Sequence, residues 1–201
     1  TFCGSNVEGL AKLAEKVLAK YAAVEKDELR LNFCIDPIIK NLSVEGDFCC
    51  GTGDECFDTI VKLVKATADY KRVRVVNVSG ATFSNAGSTI VEELAFTLSA
   101  AHDYLCKLME RGLTIDEAAR KIRFTFAVTS NYFLEMAKFR AARMLWANIV
   151  KAYNPEKNCA CKMFAHAVTS TWNQTVYDPY VNMLRGTTEA MSAAIAGVHS
   201  L

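Results

Sequence analysis

The chain has no Cys-x-x-Cys pair, no block of Lys or Arg, and no apolar run approaching the ~18 residues of a membrane span. Each absence excludes a class of function. Only 3 histidines are present, and they do not combine with the cysteines into a ligand pattern, so neither a zinc centre nor a disulfide framework is indicated. The 8 cysteines (Cys3, Cys34, Cys49, Cys50, Cys56, Cys106, Cys159 and Cys161) read as reduced thiols, with Cys34 and Cys106 acting as small hydrophobes in apolar periodic segments. Lys plus Arg (23) nearly cancel Asp plus Glu (22), which leaves no basic footprint for a phosphate backbone; no nucleic acid partner is expected. No basic-then-apolar leader precedes the first helical pattern, so no membrane partner and a soluble, cytoplasmic protein are expected. No Gly/Pro/Ser-rich linker or internal repeat divides the chain, and residues 1–201 read as one segment.

What is present is a packed core, with 51% hydrophobic and 22% charged residues. Ser5 and Glu8 form a capping box ahead of Leu10, Leu13, Ala14, Val17, Leu18 and Tyr21, a helical stripe with no strand before it. Residues 29–35 alternate as a strand that Asp36-Pro37 stops, and a long loop runs through Gly46, Gly51 and Gly53. Phe57, Ile60, Val61 and Val64 mark a second helix, Val73 to Val78 a strand, and Thr89 with Glu92 caps a helix to about Met109. Thr114 and Glu117 cap a short helix, Ile122 to Val128 is a strand, and Ser130 precedes a helix ending near Tyr153. A strand over about Cys161 to Val168 follows, and Asp178-Pro179 starts a helix carrying Met183, Leu184, Met191 and Ile195. Four strands, each followed by a helix, predict an α/β protein. Its parallel (β/α) units form about half of an eight-stranded β/α (TIM-type) barrel, or a small open sheet. Residue 1 is Thr, and the chain reads as a piece of something longer.

In such a fold the loops after the strands carry the chemistry. The loop after the second strand, Ala81, Thr82, Ser84 and Asn85, has the position but offers no group that moves a proton or attacks a carbon. Gly51-Thr52-Gly53 lacks the third glycine of a dinucleotide fingerprint, position 56 being Cys, and reads as a turn and helix cap. His102 falls mid-helix beside Asp103 on a polar face, and His166 lies near the end of the last strand with no carboxylate or cysteine nearby in sequence. Glu135, Lys138, Arg140, Arg143 and Lys151 share a helix and read as a solvated or ion-paired face.

The run 131–146, NYFLEMAKFRAARMLW, together with Thr114-Ile-Asp-Glu, Thr169-Ser-Thr-Trp172 and Glu189-Ala-Met191, resembles the barrel of the adenosylcobalamin-dependent methylmalonyl-CoA mutases. The resemblance runs from about Arg72 to Leu201 and implies roughly the second half of that barrel. The family includes a catalytic chain and a smaller, non-catalytic one. Catalytic chains carry Ser-Gly-Tyr-His-Ile-Gln-Glu-Ala-Gly in the loop after the second strand; here Ala81, Thr82 and Asn85 stand for the Tyr, the His and the Glu that faces the corrin. Lys121 and Arg123 occupy the places of an Arg and a Ser that hold coenzyme A, Phe164 replaces an Arg, Val168 replaces a Gln, and His166 is kept. Asp36-Pro37-Ile38, Asn85-Ala-Gly87 and residues 178–186 resemble the small subunit.

The resemblance therefore implies the small subunit of a heterodimer that interconverts methylmalonyl-CoA and succinyl-CoA by radical rearrangement. No catalytic, cofactor-binding or metal residue is expected in this segment. Adenosylcobalamin would be held by the large catalytic subunit, and the cobalamin domain's Asp-x-His-x-x-Gly signature does not occur here. The alternative is a catalytic barrel acting on a different acyl-CoA. A half-barrel is also expected to self-associate through open strand edges and an apolar inner face supplied by Val75 or Phe124, with Arg123 near the junction.

Overall fold

The computed structural model describes residues 2–3, 7–21, 25–40 and 53–201. Five strands, β1 (Phe2–Cys3), β2 (Asn32–Ile35), β3 (Arg74–Ser79), β4 (Ile122–Val128) and β5 (Ala165–Thr169), form one sheet in the order β1-β2-β3-β4-β5. Every neighbouring pair is parallel. The helices are α1 (Val7–Lys20), α2 (Pro37–Lys40), α3 (Gly53–Ala66), α4 (Ala81–Asn85), α5 (Ile90–Glu110), α6 (Ile115–Arg120), α7 (Tyr132–Lys151) and α8 (Pro179–Ile195). A parallel sheet in sequential strand order with helices between the strands is the arrangement of a β/α barrel; here it remains open.

The sheet departs from expectation at its ends. A strand, β1, does precede the first helix, with Phe2 opposite Phe33 and Cys3 opposite Cys34, so there are five strands rather than four. β5 begins at Ala165, because residues 158–161 wind into a 3-10 turn. Its outer edge is partly taken: His199 N–H donates to Ala165 O and Ala167 N–H to Ser200 O, both at 2.9 Å. The expected open edge at the last strand is thus hydrogen-bonded near His166.

Local signals explain most of the helices. Both expected capping boxes are present, Thr89 with Glu92 and Thr114 with Glu117, each side chain satisfying the other's free backbone N–H. Asn131, not Ser130, is the N-cap of α7, and Pro179 occupies the first turn of α8 although Asp178 makes no side-chain capping bond. Asp36 caps the short α2 instead of ending in loop: its Oδ1 accepts from Ile39 N–H (3.2 Å) and from Tyr104 O–H (2.8 Å), and its Oδ2 from Ser79 N–H (2.9 Å). One carboxylate thereby joins the ends of β2 and β3 to α5. The Ser5 cap, Gly46, Gly51, Thr52, Cys49 and Cys50 lie outside the described residues.

β4 divides the molecule into two faces. Phe124 and Phe126 meet α7, with Phe124 edge-on to Trp146 at 4.8 Å and Phe126 edge-on to Phe139 at 5.7 Å between ring centroids. Such pairs add about 0.5–1.5 kcal/mol each beyond the area they bury. Strand alternation then sends Arg123, Thr125 and Ala127 to the opposite, inner face. Phe124 and Val75 are fully buried, so neither supplies the exposed apolar inner patch expected of them. Exposed large apolar side chains occur on several helices, and one group of them lies on α8 and its approach: Val176, Tyr177, Tyr180, Met183, Leu184, Met191 and Ile195. α8 packs inward through Ser192 and Ala193, so the stripe that reads as core in the sequence faces outward.

Candidate functional site

The inner face is built by register. Asn77 lies opposite Arg123 and Ser79 opposite Thr125, while Thr125 lies opposite His166 and Ala127 opposite Val168. These residues form the wall of a bore, and polar side chains on it pair across strands: Thr125 Oγ1 donates to Asn77 Oδ1 at 2.6 Å. Arg123 is buried on this wall. His166 is half-buried, with Nδ1 2.8 Å from Ser200 Oγ; burial first, then the nearby Arg123 charge, holds its pKa below the ordinary histidine value. A neutral imidazole tied to a serine is a structural histidine, in keeping with its position. Phe164, at the foot of β5, stacks on His199 at 4.6 Å and lies under the Arg74 guanidinium at 5.0 Å.

Lys121 does not face the bore. It is the C-cap of α6, and its ammonium donates to the carbonyls of Thr67 (2.5 Å) and Tyr70 (2.9 Å) beyond the end of α3. Burial, reinforced by Arg74 and Arg120, brings its pKa down to about 8. Arg74 is likewise pushed down to about 10, by burial and then by Arg120. Arg74 also lines a cleft of about 530 Å³ under the amino ends of the strands, where Arg30, Lys71, Arg72, Arg120 and Lys162 join it and, among the described residues, no acidic side chain does.

At the opposite end, the loop after β3 turns directly into α4. Ala81 is buried, and the half-buried Thr82 donates to Ser79 Oγ at 3.3 Å. Asn85 works as a tie: its Oδ1 accepts from Ser170 O–H (3.2 Å) and from Thr171 N–H (3.1 Å), fastening this loop to the one after β5. Gly87, at φ +98°, completes the turn, and a Cβ there would sit 3.1 Å from the Trp172 ring. The Asn-Ala-Gly run and the Thr-Ser-Thr-Trp run are thus two halves of one contact.

Behind β4 lies a cluster that the sequence reading placed on a solvated or ion-paired helix face. Lys138 is fully buried and ion-paired, its ammonium 2.7 Å from Glu93 and 2.6 Å from Glu135, and it also donates to Ala127 O at 2.6 Å. Glu93 closes the ring by accepting from Ala127 N–H at 2.9 Å, and Glu135 accepts from Thr129 N–H and O–H. The signal available was the Glu135–Lys138 spacing of three residues inside an apolar stripe; the partner Glu93 is far away in sequence. Arg140 is exposed, and Arg143 caps α8 by donating to Ala196 O and Gly197 O. Cys34 and Cys56 are buried, whereas Cys106 does not pack as a hydrophobe but lies beside His102 and Tyr153. Among the described residues no helix is long and apolar enough to cross a membrane.

The sequence is similar to those of several known proteins. The small subunit of methylmalonyl-CoA mutase from Porphyromonas gingivalis is 47% identical over 140 residues, 69% of this chain and 23% of that protein. The methylmalonyl-CoA mutase of Rhizobium meliloti is 37% identical over 143 residues, 71% of this chain and 20% of that protein. The human mitochondrial methylmalonyl-CoA mutase is 38% identical over 127 residues, 63% of this chain and 17% of that protein. The chain thus matches less than a quarter of the length of each of these relatives. The sequence profile of the methylmalonyl-CoA mutases matches residues 9–201. On that match and these identities, the chain belongs to the methylmalonyl-CoA mutase family.

Proposed function

We propose that this chain is a barrel segment of the small subunit of an adenosylcobalamin-dependent methylmalonyl-CoA mutase, non-catalytic in itself and supporting a large catalytic subunit in a heterodimer. The observation that carries the reading is the use made of the positions where catalytic chains hold substrate. Ala81 is packed into α4, Asn85 ties two loops together, Arg123 is buried in the bore, and Phe164 is stacked on His199. Ala81 and Phe164 have no side-chain donor, and the Asn85 carbonyl oxygen is engaged by the loop after β5. Radical rearrangement needs a substrate held against the cofactor, and these residues are occupied in holding the fold.

Adenosylcobalamin does not fit the residues present. The place that faces the corrin in catalytic chains is Asn85, whose carbonyl oxygen is already engaged by Ser170 and Thr171. We assign the cofactor to the partner. Residues 1–201 are then one segment of the mutase barrel domain, without catalytic, cofactor-binding or metal residues, acting in the cytoplasm.

A second reading, a barrel acting on another acyl-CoA, is favoured by one feature. The cation-lined cleft under the strands suits the phosphates of a coenzyme A ester. Calorimetric titration with methylmalonyl-CoA separates the two: no saturable heat is expected, and a low-micromolar dissociation constant, in the usual range for a substrate, would favour the enzyme reading. Co-expression of the full-length small subunit with a catalytic mutase chain should give a one-to-one complex on affinity pull-down. Recovery of the tagged small subunit alone would count against a supporting role.

A further inference from the structure

Cys106, His102 and Tyr153 form a cluster that the mutase reading leaves unused. Cys106 and His102 lie one turn apart on α5, and Tyr153 follows the end of α7. Cys106 Sγ is 3.9 Å from His102 Nδ1, 4.0 Å from His102 Nε2 and 3.4 Å from Tyr153 Oη, and Tyr153 Oη is 2.7 Å from His102 Nε2. His102 is exposed, while Cys106 and Tyr153 are half-buried, so the sulfur is both sheltered and reachable.

This is the arrangement of an activated nucleophile: a thiol, a base within reach, and a third group that orients the base. We propose that Cys106 is a nucleophilic thiol, activated by His102 and Tyr153, and a site of modification by low-molecular-weight disulfides. The tyrosine hydroxyl links the two. With the thiol protonated, S–H donates to Tyr153 Oη and the tyrosine O–H donates to His102 Nε2. After transfer both bonds reverse: the imidazolium N–H donates to Tyr153 Oη, and the tyrosine O–H donates to the thiolate. Tyr153 stays a neutral donor throughout, since its hydrogen bond with Cys106, followed by burial, raises its pKa above the ordinary value. An imidazolium beside a thiolate favours the charged pair. Asp103, the next residue, is held by Lys107 at 3.2 Å.

The reaction is thiol–disulfide exchange. The Cys106 thiolate attacks one sulfur of the incoming disulfide, the old S–S bond breaks as the new one forms, and the departing thiolate takes the proton held by His102. No further oxidant is needed.

The chain carries its own control. Cys159 is exposed and Cys161 half-buried, and tryptic cleavage at Lys157 and Lys162 leaves both in one peptide. Among the described residues, access alone would make Cys159 the fastest thiol. Treatment of the folded protein with oxidised glutathione at neutral pH, with glutathionylation of each peptide followed by mass spectrometry, should show Cys106 reacting about tenfold faster than either. His102→Ala and Tyr153→Phe should each bring Cys106 down to the rate of Cys161 while leaving the 158–162 peptide unchanged, which also reports that the fold is intact. A wild-type Cys106 rate at or below that of Cys161, or a fast rate that survives both substitutions, would overturn the proposal.

Discussion

Replacing Lys138 by methionine should be among the most damaging single changes available to this chain. The ammonium is wholly enclosed and stands between two carboxylates that are themselves buried, at 2.7 Å and 2.6 Å. Methionine fills nearly the same volume, so the loss is electrostatic: Glu93 and Glu135 remain in the interior with no cation. Removing one partner of a buried pair usually destabilises by about 3–5 kcal/mol, because the remaining charge is stranded. With a urea dependence of about 2 kcal/mol per molar, the unfolding midpoint should fall by about 1.5–2.5 M. The effect should also depend on pH. Burial already raises the Glu93 pKa, opposed chiefly by Lys138. Without the lysine it rises further, so the folded variant binds a proton that the unfolded chain releases, and its stability declines as pH climbs from the ordinary carboxylate value through the raised one. The deficit against wild type should therefore be larger at pH 8 than at pH 5, and Glu93→Gln added to Lys138→Met should recover part of it. A loss below about 1 kcal/mol at pH 8, or one no smaller at pH 5, would refute the reasoning.

Lys121 should leave an alkaline signature. Its folded pKa of about 8 lies below the unfolded value of 10.5, so between them the unfolded chain holds more protons and stability rises with pH. One such group contributes up to about 1.4 kcal/mol per pH unit in that window; Lys121→Met should flatten the rise between pH 8 and 10 in denaturant titrations, and an unchanged slope would count against the burial of that charge. The chain should self-associate, now through the apolar outer face of α8 rather than the inner face of the sheet. Light scattering during gel filtration should show species above 22.2 kDa that Met183→Glu with Leu184→Glu returns to monomer, whereas a monomer at every concentration would remove that surface from consideration.

The parts of the fold legible in the sequence are those set by short-range chemistry. The two capping boxes, the stop of the strand at Asp36 and the bounds of β4 depend on residues a few places apart, and each is found where its pattern lies. β1 was not legible because two residues carry no period, and their strand character comes from pairing with β2. α4 carries one large apolar residue, Phe83, among small and polar ones, and so shows no apolar stripe. It forms because Gly80 N–H is taken by Thr125 O at 2.8 Å and Gly80 O then accepts from Phe83 and Ser84. Lys138 and Glu135 look like surface residues until Glu93 is brought to the other side of the Lys138 ammonium. The outward face of α8 misled in the other direction: spacing shows that Met183, Leu184, Met191 and Ile195 share a side, but not which side is covered.

The site was read in the sequence as a set of missing groups, and the structure adds what the replacements do. A position that loses a substrate contact by drift would leave an unengaged side chain in an open bore. Here Asn85 instead accepts two hydrogen bonds from the loop after β5, and Gly87 in the same turn leaves room for the Trp172 ring. Arg123 is buried where the catalytic pattern has a small hydroxyl, next to a histidine kept neutral by burial and by that same charge. Phe164 takes part in a stack with His199 and Arg74 that packs the foot of β5. Asn85 and Phe164 have been drawn into contacts that join neighbouring β/α units. Returning a single catalytic side chain would break one of these contacts without rebuilding the others, because the loops they fasten together are the same loops that would have to hold a substrate. The residues that would have to open for chemistry are the ones that hold the barrel segment in shape.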